Sequence, residues 1–125
     1  MEDTYRVLYN ACYGGFDISN EAKEKLIEYG LDKNLREYSY SLEFRSDPIV
    51  LKVFDELGAK CFGKEYSNIE VEEVPTIYAF AISEYDGFEE VILKPRKQYL
   101  RELMSKGNFE EVLEYLEKAN CLESR

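Results

Sequence analysis

The stretch from Tyr5 to Ser19 constrains the fold of this chain more than any other. Apolar residues dominate positions 7–12 almost without alternation, which is typical of a strand that is buried on both faces. The strand ends at Gly14-Gly15, and Ser19 is a good N-cap for a helix. Glycine adopts positive φ and allows another backbone or a ligand to come close. We therefore predict a special corner at the end of a buried strand.

The absence of histidine excludes the most common catalytic sites. The chain has 125 residues, no histidine and no Cys-x-x-Cys pair. Ser-His-Asp and Cys-His catalysis cannot be built from it, and a zinc site lacks its usual ligands. Acid–base chemistry would have to use carboxylates, lysine, tyrosine or cysteine. We therefore expect no metal and no cofactor, and we favour a protein that is not an enzyme.

The charge balance is acidic, with 26 Asp and Glu against 16 Lys and Arg and a net charge of −10. This field repels phosphate backbones and anionic lipid head groups, so we expect neither nonspecific nucleic-acid binding nor membrane binding. The chain lacks a run of about eighteen apolar residues and its N-terminus is acidic, which predicts no membrane span and no secretory signal. Three widely spaced cysteines predict reduced thiols in a cytosol-like compartment.

Periodic patterns in the first half of the chain predict two helices and an extended arm. A helix is expected over 19–30, where Gly30 ends it. Aromatic or apolar residues alternate with polar ones over 38–45, which predicts a strand or arm with one aromatic face. Asp47 and Pro48 open the next helix as N-cap and first helical residue.

The second half of the chain predicts a hairpin of strands followed by a hairpin of helices. Strands are expected over 69–74, 77–85 and 88–93, with Asp86-Gly87 as a two-residue turn. Asn108 caps the last helix. We predict an α+β fold: a mainly antiparallel sheet of about four strands, with helices packed mostly on one face. Residues 1–125 form a single domain, with a core over 1–93 and a C-terminal helical hairpin over 94–125.

Negative charges gather at the predicted hairpin turn. Counting outward from the turn sets Tyr85 opposite Phe88 and Glu84 opposite Glu89, and Asp86 adds another carboxylate. Directly opposed like charges destabilise a hairpin. We favour a solvated tip, where screening limits the repulsion, and expect Glu84→Gln or Glu89→Gln to leave stability unchanged or slightly raised. The alternative is a carboxylate cluster that binds a hard cation or a basic partner.

Arg45 and Asp47 flank a predicted helix start. We favour a local pair between the guanidinium of Arg45 and the capping carboxylate of Asp47. The alternative is that Arg45 binds a carboxylate or phosphate at the helix N-terminus. Cys12 is expected to be a core cysteine, because no histidine is present to activate its thiol.

Four blocks of sequence form one pattern: Asn10–Phe16 with Ser19, Arg45-x-Asp47-Pro48, Glu56–Gly58 and Glu84–Gly87. This pattern resembles a family of small uncharacterised proteins of large DNA viruses, including Marseillevirus-type giant viruses, and of some phages. The resemblance covers about residues 5–93, and the C-terminal hairpin looks like a lineage-specific addition. It implies a viral origin, a location in the host cytoplasm or the virion, and no established activity.

The blocks are expected to converge on one surface, which makes a candidate ligand-binding site of Tyr13, Gly14, Gly15, Phe16, Arg45, Asp47, Glu84, Tyr85 and Asp86. We favour a noncatalytic interaction or virion-associated protein with viral or host proteins as partners. The alternative is a binder of a small polar or nucleotide-like ligand, and a carboxylate-based enzyme is less favoured. The apolar residues of the C-terminal hairpin span more than one narrow stripe, which predicts a homodimer.

Overall fold

The computed structural model describes residues 3–31 and 34–119, and this part of the chain confirms the predicted α+β class. In chain order the elements are β1 (Thr4–Asn10), α1 (Asn20–Glu28), α2 (Leu35–Tyr38), a 3-10 turn (Glu43–Ser46), α3 (Pro48–Leu57), α4 (Ala59–Phe62), β2 (Ile69–Pro75), β3 (Tyr78–Tyr85), β4 (Phe88–Pro95), α5 (Lys97–Ser105) and α6 (Phe109–Lys118). Within these residues, no helix has the length and apolar character that crossing a membrane requires.

The strands form two separate antiparallel ribbons, so the prediction of one sheet of about four strands is wrong. The first ribbon pairs β1 with β2, with Asn10 opposite Ile69. The second ribbon pairs β3 with β4, with Tyr85 opposite Phe88. Pro75 ends β2. The Thr76 amide still donates to the Asp3 carbonyl (2.9 Å), and the chain then turns into β3. The free edge of β1 is occupied by side chains, as described below.

The predicted strand or arm over 38–45 is also wrong, because the chain there is helical and turned. The Ser41 hydroxyl donates to the Tyr38 carbonyl (2.7 Å) and accepts from the Phe44 amide (3.3 Å). Such local side-chain bonds compete with extended structure. Tyr38 and Phe44 pack edge to face with ring centroids 5.6 Å apart, whereas Tyr40 is 75% exposed. The alternation therefore does not mark a single aromatic face.

Three predicted helix starts are confirmed. The Ser19 hydroxyl accepts from the amide three residues on (3.1 Å), and the Asp47 carboxylate accepts from the amide two residues on (2.8 Å). The Asn108 side chain accepts from the amide three residues on (3.2 Å). Each cap satisfies an amide that has no partner within its helix.

Two apolar cores hold the elements together, and β1 contributes to both. The first core lies among the first ribbon, α1, α3 and α4 (Leu8, Ile18, Ala22, Leu26, Phe44, Val50, Val53, Phe62 and Ile69). The second joins both ribbons to the C-terminal helices (Val7, Val74, Tyr78, Leu103, Tyr115 and Ala119). Successive strand residues point to opposite faces. Val7 and Leu8 are both fully buried, which confirms that this strand is covered on both faces.

The predicted C-terminal helical hairpin is confirmed as α5 and α6, residues 120–125 of the predicted range lie outside the described residues, and one face of the hairpin packs on the second ribbon. Tyr115 stacks on Tyr78 with ring centroids 4.6 Å apart and planes 9° apart. The Tyr115 hydroxyl donates to the Ile77 carbonyl (2.6 Å). Three large apolar side chains of the hairpin remain exposed: Met104, Phe109 and Leu113.

Candidate functional site

The predicted corner at Gly14-Gly15 meets the turn of the second ribbon. We call residues 12–16 the glycine corner. Asp86 and Gly87 have φ of 52° and 90°, which confirms the two-residue turn. A Cβ placed on Gly87 would lie 2.5 Å from the Tyr13 carbonyl oxygen, so the two backbones are in direct contact. The Tyr13 ring packs on Phe88 with centroids 5.3 Å apart. The structure thus places Tyr13 and Gly15 of the predicted site against Gly87 in the turn.

The side chain of Asn10 ties the glycine corner to its neighbours. Asn10 is fully buried at the end of β1. Its amide nitrogen donates to the carbonyls of Cys12 (2.7 Å) and Gly87 (2.8 Å), and its amide oxygen accepts from the Asn68 backbone (2.8 Å). Sequence reasoning missed this role. The available signal was a polar residue within an apolar strand, directly before the corner.

The segment after α4 closes over the other side of the glycine corner. A Cβ on Gly14 would lie 1.6 Å from the Tyr66 carbonyl oxygen, so no side chain fits there. The half-buried Cys12 thiol donates to that same carbonyl (3.1 Å). The Ser67 hydroxyl donates to the Gly15 carbonyl (2.7 Å). The corner is therefore held by hydrogen bonds on two sides.

A hydrogen bond from Tyr66 and an ion pair with Lys64 both hold the Asp17 carboxylate beside this closure. The Tyr66 hydroxyl donates to the Asp17 carboxylate (2.5 Å), and the Lys64 ammonium lies 3.6 Å from it. Partial burial opposes ionisation of Asp17. The hydrogen bonds from Tyr66 and from the Ile18 amide, with Lys64 close by, outweigh it and lower the pKa of the carboxyl.

A buried ion pair lies directly beneath the corner. The Arg45 guanidinium binds the Glu89 carboxylate through two parallel bonds of 2.6 and 2.9 Å. Arg45 is 7% exposed and Glu89 is 6% exposed. The guanidinium also stacks 3.6 Å from the centre of the Phe16 ring. Two parallel charge-assisted bonds fix the relative position of the two side chains in distance and in plane.

The same ion pair occupies the free edge of β1. Arg45 donates to the Leu8 carbonyl (3.2 Å), and Glu89 accepts from the Asn10 amide (2.9 Å). The Ala11 amide bonds to the Asn68 carbonyl next to β2, so the even-numbered residues of β1 direct their backbone groups to the opposite edge. Side chains from the 3-10 turn and from β4 therefore satisfy groups that a third strand would otherwise pair.

The predicted pair between Arg45 and Asp47 is wrong, because Glu89 takes the guanidinium. Asp47 instead caps α3 and accepts a bond from the Tyr38 hydroxyl (2.6 Å). Burial and this bond to a carboxylate raise the pKa of Tyr38 far above its usual range. Asp47 thus serves the helix start and has no described bond to the glycine corner.

The predicted register of the hairpin is confirmed, but the prediction of a solvated Glu89 is wrong. Glu84 lies opposite Glu89, as counted from the turn. Glu84 is exposed, whereas Glu89 is buried. Arg45 neutralises Glu89, so the two carboxylates do not act as a matched repelling pair. The sequence could not place Arg45 beside β4, because the two partners are separated by 44 positions.

The surface of this assembly is aromatic. Tyr13 is 67% exposed, Tyr85 is 78% exposed and Phe88 is 40% exposed. We call these three side chains the aromatic tip. Tyr85 and Phe88 are directly opposed on one face of the second ribbon. The Tyr13 ring, which belongs to the glycine corner, packs against the Phe88 ring. The aromatic tip is thus an exposed surface whose backbone is held in place by the hydrogen bonds of Asn10 and the buried ion pair of Arg45 with Glu89.

Most polar groups beneath the corner are already occupied by partners within the protein. Within residues 3–31 and 34–119, no group of three or more Cys, Asp or Glu side chains is placed to hold a metal ion. Arg45 is committed to Glu89 and to the Leu8 carbonyl. The backbone of Tyr66 fills the space next to Gly14. What the assembly presents to solvent is the aromatic tip and the exposed carboxylates of Glu84 and Asp86.

No family model, no curated protein and no solved structure matches this chain. The resemblance to proteins of large DNA viruses therefore stays a prediction.

Proposed function

We propose that this protein is a noncatalytic interaction protein that contacts a partner protein through the aromatic tip. The observation that carries this proposal is the exposure of Tyr13, Tyr85 and Phe88 side by side on one surface. Tyrosine supplies a large apolar ring with a polar hydroxyl and is enriched among the residues that dominate protein interfaces.

The support beneath the tip favours binding. Asn10, Gly87 and the ion pair of Arg45 with Glu89 fix the backbone on which the rings sit. A surface that is already ordered loses less conformational entropy when a partner binds. We therefore infer that the buried polar network serves to preorganise the tip.

The alternative of a small polar or nucleotide-like ligand has less support. Its main cation, Arg45, is 7% exposed and already pairs with a carboxylate. The less favoured alternative, a carboxylate-based enzyme, could not use Glu89 as a catalytic group, because this carboxylate is buried and paired with Arg45. A thermal-shift screen with nucleotides and divalent cations tests both, because a ligand that binds the native state raises the melting temperature.

We also propose an origin and a location for this protein. The four sequence blocks resemble a viral family, so we propose a viral protein that acts in the host cytoplasm or the virion, with viral or host proteins as partners. The structure adds that two of those blocks, at residues 10–16 and 84–87, lie against each other.

Removing the aromatic tip should abolish partner capture. We expect the double change Tyr13→Ala/Tyr85→Ala to remove a bound protein that the wild type retains in affinity capture, because the two rings supply most of the exposed contact area. Quantitative mass spectrometry of the captured proteins measures this. Ile27→Ala is the control, since Ile27 is 64% exposed on α1 and lies in neither proposed interface. Capture of the same proteins by wild type and double variant would contradict the proposal.

We also propose a homodimer formed through the exposed side chains of the C-terminal hairpin. Met104 and Phe109 are 62% and 71% exposed and line a shallow apolar depression. Patches of this kind are commonly covered by a second copy with two-fold symmetry. Light scattering during size exclusion should give twice the 14.7 kDa chain mass.

The change Met104→Glu/Phe109→Glu should return the protein to the monomer mass, since it places two charges in the proposed interface. Tyr85→Ala should leave the dimer intact. A wild-type peak at 14.7 kDa that does not change on concentrating would remove the dimer.

A further inference from the structure

The segment of the chain that carries Tyr85 and Phe88 is strongly acidic. From Glu65 to Leu93 the chain contains no lysine or arginine. The same segment contains eight carboxylates (Glu65, Glu70, Glu72, Glu73, Glu84, Asp86, Glu89 and Glu90). Arg45 reaches this region, but it is buried and Glu89 neutralises it.

Two of these carboxylates lie beside the tip. Asp86 is exposed and follows Tyr85 in the turn. Glu90 is also exposed, and it lies two residues after Phe88 in β4, so both side chains point to the same face. Glu84 points to the opposite face, because it directly precedes Tyr85 in β3. The rings thus lie beside an acidic rim of Asp86 and Glu90, and the rim and the rings attract the same kind of group.

Cations bind favourably over aromatic faces, because the ring face carries partial negative charge. Arginine suits this surface better than lysine. Its planar guanidinium stacks on rings and also forms two parallel bonds to a carboxylate. The same chemistry already occurs inside this protein, where Arg45 stacks on Phe16 and pairs with Glu89.

We propose that the aromatic tip binds an arginine-bearing segment of a partner protein. Arginine side chains stack on Tyr13, Tyr85 and Phe88, and their remaining donors bind Asp86 and Glu90. This inference rests on the proposed interaction function and specifies the chemistry of the partner. The charge complementarity between an acidic rim and a basic segment also speeds encounter and makes binding sensitive to salt.

Short synthetic peptides of equal length test this directly. Dye-labelled peptides in which glycine alternates with arginine, lysine or glutamine are titrated with the full-length protein, and fluorescence anisotropy gives the dissociation constants. We expect the arginine peptide to bind most tightly, the lysine peptide more weakly and the glutamine peptide not at all. Raising the salt concentration should weaken the arginine complex.

Variants locate the binding surface. Tyr13→Ala and Tyr85→Ala should each weaken the arginine complex about two- to fivefold, as expected for loss of one exposed cation–aromatic contact. Asp86→Asn and Glu90→Gln should each weaken it about twofold. Ile27→Ala and Glu24→Gln are exposed controls on α1, and they should leave the dissociation constant unchanged.

Three outcomes overturn the inference. If arginine and lysine peptides bind equally and the tyrosine changes have no effect, the attraction is general charge attraction to an acidic protein. If no peptide binds while the tip still determines protein capture, the interaction function stands and the partner is not basic. If Tyr85→Ala abolishes self-association and no peptide binds, a second copy covers the tip.

Discussion

Glu89→Gln is expected to lower the free energy of unfolding by about 3–5 kcal/mol, because it leaves the Arg45 guanidinium buried without its counter-charge. Arg45 is 7% exposed, so water cannot replace the lost carboxylate without structural change. The substitution also replaces the charged acceptor of the Asn10 backbone N–H by a neutral one, which weakens that hydrogen bond. Urea unfolding followed by circular dichroism measures the change.

Glu84→Gln is the matched control for this experiment. It makes the same chemical change directly across the ribbon, but at an exposed position. Its effect should stay within about 0.5 kcal/mol, as for most surface substitutions. The double change Arg45→Met/Glu89→Gln should cost less than the sum of the two single changes, since it removes both buried charges. Equal effects of Glu84→Gln and Glu89→Gln would show that the ion pair does not stabilise the fold.

Gly14→Ala is expected to destabilise the protein by more than about 3 kcal/mol, because its Cβ would overlap the Tyr66 carbonyl oxygen at 1.6 Å. Relief of this overlap requires the backbone near Tyr66 to move away from the corner. That movement breaks the bond from the Cys12 thiol to the same carbonyl. The urea midpoint of the variant measures the loss.

Gly15→Ala separates this clash from the general cost of replacing glycine. Gly15 has a φ of 87°, but a Cβ there would meet no atom within 4 Å. The expected cost is therefore the conformational strain alone, about 1–2 kcal/mol. If Gly15→Ala were as damaging as Gly14→Ala, the close approach of the Tyr66 backbone would not determine stability at this corner.

Local signals in the sequence predicted the parts of the fold that depend on short-range chemistry. Asp86-Gly87 identified the turn, since both positions need positive φ. The capping side chains at Ser19, Asp47 and Asn108 identified three helix starts. Continuous apolar residues in β1 identified the strand that is buried on both faces. Each of these features is determined by residues within a few positions of one another.

Features that depend on distant pairing could not be predicted in this way. The charge of Glu89 looked solvated, because its partner Arg45 is brought close only by the folded chain. The alternation over 38–45 favoured a strand, but Ser41 bonds to both sides of its own turn and bends the chain. The division into two ribbons likewise follows from the side chains that occupy the edge of β1.

The side chains at the edge of β1 also have a consequence for how the protein unfolds. The backbone N–H of Asn10 donates to the carboxylate of Glu89, which belongs to the other ribbon. Separating the ribbons would leave that backbone N–H without its acceptor and one unpaired charge in each half, Arg45 in one and Glu89 in the other, so a state with separated ribbons is high in free energy. We therefore expect the amide hydrogen of Asn10 to exchange with deuterium only when both ribbons open together, as one cooperative unit of the native state.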